Sequence, residues 1–579
     1  MATNVSKKRK QQKAQAITRV LIVAAILVCV NMLAARFHYG LDLTKEKRFT
    51  LSDPTKKLLR NMEDVAVIDV YLEGKFPAGF QRLQEATRER LQSFRDVAGG
   101  KVVFRFSNPF EGKSEDEKGA VYQQFAEKGI APINLRMQGE DEGYSEKFVF
   151  PYALVRYNGN EMAVRLLENK LGQGPRENLN YSESLLEYKF ANAINKLTLP
   201  AKTEIAYVMG NGEMLGANTY DLLTTLEKQY KVDTIDLTNS IYISPIYKAI
   251  IINNPSVAFD DKAKFKIDQY VMSGGSVLWA VDQLNTPMDS LMRTQQFIAL
   301  DKGLNLNDML FKYGVRINPD LIEDIICLPI PITVGMQGDR PQIELRNWIY
   351  FPVFNPASSH PIVNNMNFIM GQFVNSIDTV SNPDIKKTIL LASSKNSRTA
   401  AAPTRVSLSM LKYPVNPRDF RKKNIPTAVL LEGKFTSVFK NRMHPNFLQV
   451  LKDSLNREFK EATDSSAKMI VIADGDVMLN DFSSKNGPME MGYWQFTQQR
   501  FANKDFILNC IEYLTDNSGL LAARSKNTRL RLLDPERTKK EETKWRMINI
   551  GVPLVFVLIF ASVYLFFRKR KYESPITKK

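Results

Sequence analysis

Asp282 and the pair Asp474 and Asp476 each follow a short apolar run rich in β-branched residues, and Gly210-Asn211-Gly212 follows another. In an open α/β sheet, ligands gather outside the carboxyl ends of the strands, so these positions mark the edge where chemistry would be done. Three carboxylates at one such edge are the donor type that a divalent cation takes. Asp, Asn and Gly are also what turns and caps require, because they bond locally to backbone and tolerate left-handed conformations. No further pattern fixes a coordination geometry, so the turn reading is preferred. No metal and no cofactor is expected, and Gly210, Asn211, Gly212, Asp282, Asp474 and Asp476 stand only as candidate residues of a ligand-binding edge.

Other chemistry is poorly served. The three histidines are His38, His360 and His444, the last two each followed by proline. None is paired at metal-ligand spacing, and no Gly-x-Ser-x-Gly or Gly-x-Cys-x-Gly elbow presents a nucleophile. Met272-Ser273-Gly274-Gly275-Ser276 has the look of an ABC signature loop, but its glycines close a helix pattern, whereas a phosphate-cradling loop opens one. Gly112-Lys113-Ser114 ends like a Walker A loop, yet Ser107 stands where the first glycine belongs. Gly74-Lys75 and Gly433-Lys434 are both followed by Phe and fail the same test. The chain is therefore read as a non-enzyme with no catalytic residue.

The elements that must carry these loops read as two α/β regions. Val65–Glu73 predicts a strand, Gly79–Val97 a helix and Lys101–Ser107 a second strand, which together make a βαβ unit. Phe148–Tyr157 and Glu161–Leu167 flank Asn158-Gly159-Asn160, a hairpin signal. This region, 38–197, is thioredoxin-like in outline but has no Cys-x-x-Cys, which excludes thiol redox work. A helix over Ser182–Leu197 leads into a larger Rossmann-like region, expected as an open, mostly parallel sheet with helices on both faces. Its first part, 198–283, holds strands at Glu204–Val208, Val232–Asp236, Ala249–Asn253 and Ser276–Ala280, a helix bearing Leu222, Leu223 and Leu226, and another at Asp260–Met272. Its second part, 425–521, holds strands Thr427–Leu431 and Met469–Ala473 and helix Asn503–Thr515. Between them, 284–424 is irregular and rich in Asn, Pro and Ser, and reads as an insertion or smaller lobe. Leu72-Glu73-Gly74-Lys75-Phe76 recurs as Leu431-Glu432-Gly433-Lys434-Phe435, and a turn after a strand explains both copies. Cys29 lies in an apolar segment, and Cys327 and Cys510 are expected as isolated thiols.

The formal charge of +17 raises the question of nucleic acid. Residues 1–16 carry Lys7, Lys8, Arg9, Lys10 and Lys13 without an acid, and residues 568–579 carry six bases against Glu573. Most of the excess thus sits in two short tails rather than on a folded face, which argues against a nucleic-acid partner. Beside each tail lies an apolar run. Ile548–Phe567 is uncharged over a length that spans about 30 Å as a helix, with Trp545, Tyr564 and Tyr572 near its ends. Val20–Ala35 is apolar apart from Asn31, and Ile17 and Phe37 extend it past Arg19 and Arg36; Leu33-Ala34-Ala35 resembles a signal-peptide cleavage site, but the run exceeds the usual signal core and is read as an anchor. Two transmembrane helices, 17–37 and 545–567, are expected. The positive-inside bias puts both basic tails, 1–16 and 568–579, in the cytoplasm and the body outside it, with 522–544 as a charged spacer.

LTKEKRFTLSDPTKKLL at Leu43–Leu59 and AVLLEGKFTSVFKNR at Ala428–Arg442, with the paired terminal helices, resemble the GldG family of gliding-motility-associated ABC-transporter accessory proteins of Bacteroidetes. That resemblance implies a cell inner-membrane protein working with an ABC permease subunit and a cytoplasmic ABC ATPase, its large domain in the periplasm and open to periplasmic or envelope factors. It also implies a central domain similar to amidotransferase-like and intraflagellar-transport-like α/β domains without a catalytic nucleophile. No ligand residues come with it. A structural scaffold of the envelope or motility machinery is the alternative, and an amidotransferase-like hydrolase a further one.

Overall fold

The computed structural model describes residues 17–19, 21–32, 50–74, 76–138, 144–168, 174–483, 487–516, 518–525 and 535–572. The basic tail 1–16, residues 33–37 of the expected first span and the Leu43–Phe49 part of the family-like segment lie outside them. The chain divides into Met1–Asn527 and Thr528–Lys579.

The first sheet is built from β1 (Ala66–Val70), β2 (Val102–Phe106), β5 (Tyr152–Tyr157) and β6 (Asn160–Arg165), in the order β2-β1-β5-β6. β1 and β2 run parallel, joined by the helix Ala78–Val97, and β5 and β6 form the expected hairpin across the Asn158-Gly159 turn. The predicted single strand Phe148–Tyr157 is broken at Pro151. Its first part is β4 (Tyr144–Val149), which pairs with β3 (Ile133–Gln138) instead. Proline lacks the N–H a ladder needs, so the break follows from the sequence. A helix over Glu115–Glu127 was not foreseen: its residues are mostly polar, and only Val121 and Phe125 are buried.

The central sheet grows from β7 (Glu204–Met209), β8 (Lys231–Asp236), β9 (Ala249–Asn253) and β10 (Ser276–Ala280), which run parallel. β9 and β10 are buried at every residue, as strands covered on both faces must be. Helices Tyr220–Glu227 and Asn503–Thr515 cover one face through Leu222, Leu226, Phe506, Ile507 and Cys510. Helix Asp261–Met272 covers the other through Ile267 and Val271.

Beyond the fourth strand the sheet departs from expectation. The long hairpin β11 (Cys327–Gln337) and β12 (Arg340–Pro356), then β13 (Ile385–Ala392), β14 (Pro426–Gly433) and β15 (Ala467–Ile472), complete the order β11-β12-β13-β14-β15-β10-β9-β7-β8. β15 is parallel to β10, but β14 is antiparallel to β15 and to β13. The sheet is mixed rather than mostly parallel, and three of its strands come from the stretch that reads as irregular. Cys327 and Cys510 are free thiols.

In the second unit one helix runs Pro535–Tyr572, so the expected spacer is helical from Pro535 onward. Among the described residues, one helix is long and apolar enough to cross a membrane, Lys540–Arg570. The helix Ile17–Met32 is shorter than that.

In the repeated Leu-Glu-Gly-Lys-Phe, Gly74 lies four residues beyond β1 and Gly433 is the last residue of β14, and both take a positive φ, 137° and 151°. At Gly433 a Cβ would stand 2.0 Å from the Asp384 carbonyl oxygen, so both backbone conformation and space demand glycine. Gly433→Ala is expected to cost about 1–3 kcal/mol, read as a lower denaturant midpoint with an unchanged m-value.

Candidate functional site

The carboxyl ends of β15, β10, β9 and β7 lie side by side, which brings the loops at Asp474, Asp282, Asn254 and Gly210 onto one edge. Asp282 and Asp474 are 5% and 1% exposed, and such carboxylates persist in a core only with hydrogen-bond partners. Asp282 Oδ1 accepts from Gly475 N at 2.7 Å, and its Oδ2 faces Lys302 Nζ at 3.8 Å. Asp474 accepts from Gln372 N at 3.1 Å and Asp476 N at 2.9 Å. Lys302 also donates to Asn254 Oδ1 at 2.9 Å. Gly371 and Gly475 allow this closure, since a Cβ on either would strike Asp474 or Asn254.

Burial raises the pKa of all three aspartates, and the charge of Asp282 adds to it at the other two. Burial pushes Asp474 well above the carboxylate range, and Asp282 and Asp476 add to it. Burial pushes Asp476 up to about 8, with Asp282 and Asp481 adding and Lys302 opposing. Asp282 is raised by burial against the pull of Lys302 and the Gly475 amide. The oxygens of Asp282 and Asp474 are committed to backbone amides and to Lys302. Among the described residues, no group of three or more His, Cys, Asp or Glu is arranged to hold a metal ion.

Gly210-Asn211-Gly212 sits on the same edge as a turn. Asn211 O accepts from Ser256 N and Val257 N at 3.0 and 2.9 Å, its Nδ2 donates to Ala258 O at 3.1 Å, and its N donates to Glu213 at 2.7 Å. The edge is roofed by the loop after β15, where Asn480 Nδ2 donates to Ala217 O at 2.9 Å and Asn480 Oδ1 accepts from Asp221 N at 3.1 Å. Lys302, Asn254, Gln372 and Asn480 carry no signal in the sequence; each acts only by reaching a loop distant in the chain. The two nucleotide-like runs prove local. Ser114 caps the Glu115–Glu127 helix with Glu117 in a capping box. A Cβ on Gly275 would collide with the Tyr270 ring as the chain turns from helix into β10.

A family model described as an ABC-type uncharacterized transport system matches residues 202–510, more than half of the 579-residue chain. The chain belongs to that family. It is accordingly an auxiliary protein of an ABC-type transport system, a class of transport component and not of enzyme. The match covers the whole central sheet, including β11 to β13. A model for a domain of unknown function matches residues 45–156, over the first sheet up to β5 but short of β6. An uncharacterized protein of Borreliella burgdorferi is 22% identical over 464 residues, covering 77% of this chain and 82% of that one. Among solved structures, the mmIFT52 N-terminal domain gives a TM-score of 0.29 at 13% identity, covering 54% of this chain and 98% of that chain. An exo-β-1,4-mannosidase from an Opitutaceae bacterium gives 0.19 at 9% identity, covering 76% and 49%. At these scores neither likeness carries a fold assignment.

Because folded Asp476 holds its proton to about pH 8 while an unfolded Asp releases it near pH 4, its contribution to stability is complete below about pH 4 and is lost as pH rises through about 8. Asp476→Asn keeps the uncharged shape. The variant is expected to melt higher than the parent at pH 8.5 and at the same temperature near pH 4; equal melting at both would show that the carboxyl is not perturbed.

Proposed function

We propose that the protein is a membrane-anchored accessory subunit of an ABC-type transport complex, linked to gliding motility or cell-envelope export as in the GldG family. In this reading the terminal helices pack against a permease subunit, a separate cytoplasmic ATPase supplies turnover, and the body works in the periplasm of a two-pass inner-membrane protein. The carrying observation is the family match over residues 202–510. The Lys540–Arg570 helix supports anchoring, and Arg568, Lys569, Arg570 and Lys571 at its end support a cytoplasmic C-terminus by the positive-inside bias. The order β2-β1-β5-β6 supports the thioredoxin-like outline of the first sheet, and the parallel run β15-β10-β9-β7-β8 a Rossmann-like core. The roofed carboxyl edge, with Asp282 and Asp474 bonded inward, favours a body that acts by contact with partners rather than by turnover of a substrate. The scaffold alternative shares the anchors but needs no ATPase.

Gentle detergent extraction of the tagged protein from its native membrane, with identification of every copurifying chain, separates the two. A polytopic permease and an ABC ATPase in stoichiometric amounts are expected. Envelope or motility components with neither of those would sink the transporter reading and leave the scaffold.

A further inference from the structure

On the face of the central sheet covered by helix Asp261–Met272, a groove of about 550 Å³ opens between two walls. One wall is the short helix Asn307–Tyr313 with the strand after it, giving Phe311, Lys312 and Arg316. The other is the turn after β14, giving Val438, Lys440 and Arg442. The four cations are all exposed. Among the described residues Lys312, Arg316 and Arg442 form no ion pair, while Lys440 meets Glu461 at 3.2 Å in an exposed pair of small worth. The one acid lining the groove, Asp308, is taken by Lys264, whose ammonium lies 2.7 and 2.8 Å from its two oxygens and is itself almost fully buried. Asp378, opposite Arg316 across the ladder, accepts from Asn318 instead.

The groove is also built to hold its shape. Asp268, fully buried on the same helix as Lys264 and one turn on, accepts from Tyr313 Oη at 2.8 Å on one wall. On the other it accepts from Ser437 Oγ at 2.7 Å and Val438 N at 2.9 Å. One carboxylate therefore ties both walls to one floor. Within the walls, Lys440 N and Arg442 N bond back to Ser437 O and Phe439 O, which fixes the turn that presents their side chains.

We propose that this groove is a binding site for a phosphate-bearing ligand. Its volume is that of a small-molecule site. Two guanidiniums without carboxylate partners match phosphate oxygens in paired hydrogen bonds, with two ammoniums adding charge. Phe311, 55% exposed, and Val438 offer an apolar surface for the portion of the ligand that bears the phosphate. The site does not depend on the transporter reading, and it stands apart from the aspartate edge.

The test uses the full-length protein in non-ionic detergent, titrated with inorganic pyrophosphate by calorimetry at low and moderate salt. Saturable binding that weakens with salt is expected, and Arg316→Gln and Arg442→Gln should each weaken it about tenfold or more, the scale of a lost charge-assisted hydrogen bond. Neither side chain holds the fold, so both variants should melt with the parent, and Lys228→Gln, outside the groove, should bind as the parent does. Phosphatidic acid added to the micelles identifies the source: displacement of pyrophosphate places the phosphate on a lipid headgroup, indifference places it on a soluble molecule, and both support the site. No saturable binding, or binding that both arginine variants retain, overturns the proposal.

Discussion

The pairing of β14 with β15 is the joint on which the body depends. To one side lie five strands that run parallel, to the other a set of antiparallel strands, and β14 alone is hydrogen-bonded to both. Its central residues Ala428 to Leu431 have no exposure, and alternate ones reach the two opposite cores, Ala428 and Leu430 one, Val429 and Leu431 the other. A slip of one residue would exchange those faces and set every following loop out of place. The aspartates after β15 and the basic turn after β14 are both positioned by this register.

The parts of the fold that were legible are those in which burial imposes a period. β9, β10 and the helix Asn503–Thr515 have the bounds the sequence predicts, because each is a short run with four apolar residues in five or has one clear apolar helical face. The hairpin of β11 and β12 is not legible. Pro329, Pro331, Pro341, Pro352 and Pro356 interrupt its pattern, and its exposed Val334, Met336, Ile343 and Leu345 obscure which face is buried. At the aspartate edge, position after a strand was enough to single out Asp282, Asp474 and Asp476. Their bonding was not, because Lys302, Gln372 and Asn254 reach them across the fold. The basic groove is hidden for the same reason: Arg316 and Arg442 are far apart in the chain, and what unites them is Asp268.

A second buried polar system ties the first sheet's long helix, Pro175–Thr198, to the central body. Glu512 accepts from Tyr188 Oη at 2.8 Å and Asn192 Nδ2 at 2.9 Å, with Lys196 Nζ at 3.3 Å. Nearby, burial would raise Glu168, but Lys189 and Arg165 outweigh it and hold its carboxyl at about 2. An apolar contact of the same area would allow sliding. A network with every partner fixed permits one docking geometry and penalises others, since any shift strands a charge in the interior.

The helix Pro535–Tyr572 is about 57 Å long at the usual rise, nearly twice a hydrocarbon core, and carries Pro553 within it. Proline supplies no N–H to the carbonyl four residues back, here Asn549, and that oxygen falls at the very start of the uncharged run. In a bilayer this is headgroup depth, where water satisfies a carbonyl that hydrocarbon would leave bare. In the proposed anchored state the rod would therefore have its swivel at the water line: the emergent turns would lean without dragging the immersed ones, so a pull along the axis would be transmitted while a sideways tilt would be absorbed.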